Sequence, residues 1–98
     1  MKVAFQLPGT LAAYAEGRGC VEVQTLVGTV GGALAVLFNR HPALRHRVLG
    51  EDGHVRPHVN LFVGRESIRH TGGLATPLEE GAEVFILPAV SGGARLNR

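Results

Sequence analysis

Ninety-eight residues, 45% hydrophobic and 18% charged, suit one domain with one modest core and argue against a disordered chain. The formal charge is only +2, and losing the last five residues with Arg95 and Arg98 would bring it to zero (+2 − 2 = 0). With the arginines spread from Arg18 to Arg98 and only four Phe and one Tyr to stack bases, nucleic-acid binding is not expected.

No apolar run approaches the roughly 20 residues of a membrane span, and no signal peptide is visible, so no membrane partner and a cytoplasmic location are the expectations. The single cysteine, Cys20, cannot form an internal disulfide and rules out a Cys-rich metal or iron–sulfur site.

The first element is "KVAFQL", where Val3, Phe5 and Leu7 alternate with Lys2, Ala4 and Gln6 as in a half-buried strand. Pro8-Gly9 stops it, and Thr10 to Gly19 reads as irregular. "CVEVQ" alternates again, with Val21 and Val23 inward and Cys20 on the Glu22 side. Thr29 is placed to cap a helix carrying Val30, Ala33, Leu34, Leu37 and Phe38 at three- and four-residue spacing. Gly31 and Gly32 weaken its first turn by about 1 kcal/mol each relative to Ala, so packing must hold it.

His41-Pro42 ends that helix and Pro42 opens a shorter one, with Leu44, Val48 and Leu49 inward. "GEDG" is a turn. "HVNLFVG" alternates with Val59, Leu61 and Val63 on one side and Asn60 and Phe62 on the other. Gly64-Arg65 turns the chain, "ESIRH" suits a short return strand, and "TGGLATPLEEG" is loop with room for one helical turn. "AEVFIL" is the last strand, with Val84 and Ile86 inward and Phe85 opposite.

The order β-β-α-(short α)-β-β-β gives one amphipathic helix against one sheet, the α+β pattern. Hairpins at both ends joined by a crossover helix point to a β-grasp roll with a mixed sheet of four to five strands. Residues 1–90 are expected to form this domain, and residues 91–98 a flexible C-terminal arm.

The stretch "VNLFVGRESIRHTGGLATPLEEGAEVFILPAVSGG" resembles the last third of the ThiS/MoaD-type ubiquitin-like sulfur carriers, and "TVGGALAVLFNRHPALRHRVL" is similar to their first half. The resemblance covers residues 1–93 and, within the family, is nearest to the carriers that feed cysteine synthesis. Three Gly-Gly pairs occur, at 31–32, 72–73 and 92–93; only the last sits just past a final strand.

The resemblance implies a protein cosubstrate rather than an enzyme. The Gly93 carboxylate would be adenylated by an E1-like adenylyltransferase using ATP and Mg²⁺, then converted to a thiocarboxylate whose sulfur passes to a sulfur-accepting synthase. The carrier itself would bind no cofactor. Glycines let the arm thread a narrow cleft, with Gly92, Ser91, Val90 and Ala89 lying along it. In this chain Gly93 is tied up in a peptide bond to Ala94. By resemblance to carriers made with extensions, a JAMM-type metallopeptidase would first cut Gly93–Ala94 and remove residues 94–98. The alternatives are a small subunit of molybdopterin synthase and a ubiquitin-like interaction module that never bears sulfur.

Phe62 and Phe85 are expected on neighbouring strands, both facing away from the helix, as a partner-docking pair. Among the five histidines, His54 and His58 are four apart, but Pro57 and the Asp52-Gly53 turn argue against a metal-binding helix. No His/Asp relay accompanies Ser67 or Ser91. Neither a metal site nor a hydrolase is expected.

Overall fold

The alternating apolar residues predicted to face inward do so, and they build one core. The computed structural model describes residues 1–88; Ala89, Val90, Ser91, Gly92, Gly93 and Ala94, which the sequence singled out, lie outside the described residues. Strands β1 (Lys2–Gln6), β2 (Cys20–Gln24), β3 (Val59–Val63), β4 (Glu66–Ser67) and β5 (Ala82–Pro88) form one mixed sheet in the order β2-β1-β5-β3-β4. Among the described residues only the central pair, β1 with β5, is parallel. A parallel pair needs a crossover, and it is supplied here by the segment holding the long helix. This is the β-grasp roll that the element order implied.

In the chain order of helices, α1 is Gly9–Ala12, α2 is Val30–Arg40 and α3 is Arg45–Val48. Helix α2 begins where Thr29 Oγ1 accepts from the Gly32 N–H at 3.1 Å. It buries Val30, Ala33, Leu34, Leu37 and Phe38 against Val3, Phe5, Val21, Val23, Leu61, Val84 and Ile86 of the sheet. At its far end the His41 N–H still reaches the Leu37 carbonyl at 2.8 Å before Pro42 diverts the chain. Leu44, Val48 and Leu49 are buried, as their spacing indicated.

Two stretches differ from the sequence reading. Thr10 to Gly19 is not irregular throughout: α1 is followed by a 3₁₀ turn at Ala13–Ala15. The Pro8 carbonyl accepts from both Leu11 and Ala12, and the alanines are strong helix formers, two of which, Ala12 and Ala15, are buried. Glu16 at φ 58° and Gly17 at φ 79° then end it in left-handed backbone. In "ESIRH" only Glu66 and Ser67 pair with β3. Ser67 Oγ takes the Arg69 N–H at 3.3 Å and starts a 3₁₀ turn that sinks Ile68 into the core.

The long connection from β4 to β5 straps the start of α2. Val30 N–H donates to the Thr76 carbonyl at 3.0 Å and Leu78 N–H to the Gly28 carbonyl at 2.8 Å. The strap and the turn before the helix explain the glycines there. A Cβ on Gly32 would stand 2.5 Å from Val27 Cβ and 2.8 Å from the Val27 carbonyl oxygen, and one on Gly31 would stand 3.1 Å from the Leu74 carbonyl oxygen. Close approach, not indifference to helix propensity, puts glycine at both sites.

Candidate functional site

Strand β5 is central, so its outward residues sit in the middle of the sheet face that, among the described residues, no helix covers. The register sets Phe85 directly opposite Phe62 on β3, and Leu87 opposite Asn60. Both rings are half-buried and Leu87 is 41% exposed. Together with Gly64 and Arg65 these three side chains line a shallow depression of about 340 Å³. The expected pairing of Phe62 with Phe85 is therefore present. Leu87 completes the patch, and two-residue alternation from Phe85 was the signal that could have found it.

Around this apolar centre the face is polar. Gln6, opposite Phe85 on the other side of β5, directs its amide Nε2 to Cys20 Sγ at 3.6 Å and Glu83 Oε2 at 3.4 Å. Cys20 is exposed on the Glu22 side, as read. On the edge strand, Arg40 Nη1 reaches over from the end of α2 to the Glu22 carbonyl at 2.6 Å. A cation occupying an edge carbonyl discourages pairing with a further strand.

Pro88, the last residue of β5, pairs with Val59 and is exposed at the end of a central strand. Beside it lies a groove walled by the α1 region and the α3 region, where Arg47 Cζ stands 4.4 Å from the centre of the Tyr14 ring. Composition did not disclose this meeting of residues from 14, 47 and 58. His54 and His58 are both exposed and lie in separate turns. Among the described residues no three His, Cys, Asp or Glu side chains converge as a metal would require, and no helix is long and apolar enough to cross a membrane.

One family model, described as the ThiS family, matches residues 6–93, the roll together with the glycine pair at 92–93. The chain belongs to the ThiS family. The sulfur carrier protein CysO of Mycobacterium tuberculosis is 32% identical over 95 residues, spanning 95% of this chain and 100% of that protein. Small archaeal modifier protein 3 of Haloferax volcanii is 40% identical over 65 residues, 66% of this chain and 70% of its own. The crystal structure of the Amycolatopsis orientalis BexX/CysO complex contains a chain that superposes with a TM-score of 0.80 at 28% identity, covering 93% of this chain and 99% of that one.

Proposed function

We propose that this ThiS-family chain is a sulfur carrier whose acyl end is Gly93. The observation that carries the reading is where the family match stops: at residue 93, the second glycine of the last pair, with Ala94 to Arg98 beyond it. Similarity to a protein named as a sulfur carrier along its whole length supports the same reading.

In this reading a JAMM-type peptidase hydrolyses the Gly93–Ala94 bond, because an amide carbonyl offers no carboxylate oxygen for activation. The freed carboxylate attacks the α-phosphorus of ATP on an E1-like adenylyltransferase, and pyrophosphate leaves. A sulfur nucleophile then adds to the activated carbonyl carbon and AMP departs, leaving a thiocarboxylate that a synthase consumes in cysteine or another sulfur-containing product. Glycine at 92 and 93 lets the backbone approach a nucleotide closely, with Ala89, Val90 and Ser91 along the cleft. Phe62, Phe85 and Leu87 dock the partner: they form an apolar patch on the uncovered face, next to the strand that delivers the acyl end. The protein is a cosubstrate, its ATP and Mg²⁺ belong to the activating enzyme, and residues 1–90 and 91–98 divide into body and arm.

The test is ATP–pyrophosphate exchange with the E1-like enzyme of the source organism. A chain ending at Gly93 supports exchange without any peptidase, whereas the 98-residue chain requires one; no exchange with the shortened chain counts decisively against the reading. Mass spectrometry of the protein isolated from its source should find a chain ending at Gly93 with an oxygen-to-sulfur mass gain.

Similarity to a small archaeal modifier protein favours a second use of the same acyl end, attachment to an amine of another protein. A peptide in which the glycine pair is branched onto a lysine would establish it.

A further inference from the structure

We infer that the groove beside Pro88 is an electrostatic docking site for an acidic polypeptide segment of the protein that receives the C-terminal end. Its two parts, about 580 Å³ and about 310 Å³, share Tyr14, Arg47 and His58 as lining; His46 and Arg56 complete the first, and Pro88 bounds the second. No carboxylate among the described residues lines either part. Among the described residues the one ion pair is between the N-terminus and Glu80, so neither arginine is in an ion pair there. Glu51 and Asp52 line a neighbouring hollow that Arg56 also borders, and there Asp52 Oδ1 accepts the His54 N–H at 3.0 Å.

The two guanidinium groups are held in place. Arg47 lies over the Tyr14 ring at 4.4 Å. Arg56 donates from Nε to the His46 carbonyl at 2.6 Å, and from its backbone N–H to Val48 O at 2.9 Å. Its Nη1 and Nη2 make no hydrogen bond among the described residues, which leaves two donors of the guanidinium for a carboxylate. Fixing a long cationic side chain in advance lowers the entropy lost when an anion arrives.

Charge and position choose the occupant. Any protein that engages the residues after Pro88 is brought within reach of the groove. A nucleic acid would need a free stacking platform, but Arg47 already covers the Tyr14 ring. Two fixed cations also give a weak counterion-release drive. This inference rests on the proposed function for the identity of the partner, not for the chemistry of the groove.

The experiment is a titration of the ¹⁵N-labelled 98-residue protein with hexaglutamate at low salt, read as amide shifts, beside hexaglutamine and hexauridylate. Shifts gathered at Tyr14, His46, Arg47 and Arg56, absent with hexaglutamine, are expected. Arg47→Glu should weaken binding about fivefold, with a smaller loss in Arg56→Gln. Lys2→Glu, which makes the same charge change at the far end of β1, should leave binding close to the parent value. No groove shifts, equal losses in Arg47→Glu and Lys2→Glu, or hexauridylate binding as tightly as hexaglutamate would each overturn the inference. The titration involves no activation chemistry, so its failure and a failure of sulfur loading are separate results.

Discussion

Along β5, consecutive residues answer to opposite demands. Val84 and Ile86 are completely buried against α2, while Phe85 and Leu87 point to the uncovered face. All four are hydrophobic, and hydropathy alone does not distinguish them. What separates them is whether a helix lies over that side of the sheet. The inner face belongs to one buried cluster that α2 closes, and protein interiors of this kind are close-packed. The outer face holds a shallow apolar patch of Phe62, Phe85 and Leu87, the surface proposed above for docking. Core and open face are thus divided between even and odd positions of one strand.

The division is broken most directly at Ile86. Ile86→Ala should cost about 2–5 kcal/mol by urea denaturation, because a closed core cannot collapse around the lost methylenes. Phe85→Ala should cost about 1 kcal/mol, the scale of a cross-strand aromatic pair plus partial exposure, yet weaken binding of the activating partner by titration calorimetry. Equal stability losses at the two positions would end the distinction.

Helix α2 offers the next largest effect. Gly32→Ala improves intrinsic helix propensity, but its Cβ would press on the Val27 backbone, so destabilisation by about 1–3 kcal/mol is expected. Stabilisation would show that the turn before the helix moves freely. Thr29→Ala, which removes the cap to the Gly32 N–H, should lower stability by about 1 kcal/mol.

The smallest expected change has the opposite sign. His41 is buried at 7% exposure and its Nε2 has no hydrogen-bond partner among the described residues. His41→Leu removes an unsatisfied polar atom from the core and should be neutral or stabilising by up to about 1 kcal/mol in the same denaturation experiment. A loss of more than that would mean the imidazole packs or bonds better than its surroundings indicate.

Much of this was legible in advance. Strand alternation, the Thr29 cap, the i, i+3, i+4 spacing of α2 and the stop at His41-Pro42 are local signals, decided within a few residues, and the element order they gave admits few topologies. The pairing of Phe62 with Phe85 followed once that topology was adopted. The helical turns at Gly9–Ala15 escaped because Pro8-Gly9 signals a break and "TLAAYA" has only part of an amphipathic stripe, its burial coming from elements far along the chain.

The sequence by itself determined which residues want to be buried, where helices and strands begin and end, and that the glycine pair at 92–93 follows the last strand. Only the tertiary structure decided what the other two pairs are for: Gly31-Gly32 admits close approach at the start of α2, and Gly72-Gly73 takes φ values of 115° and 63° in the strap. It also brought Tyr14, Arg47 and Arg56 to one groove although they look dispersed in the chain. The physical reason is range. Periodicity and capping act over one or two turns of backbone, whereas side-chain neighbours across a roll are fixed by how the layers pack.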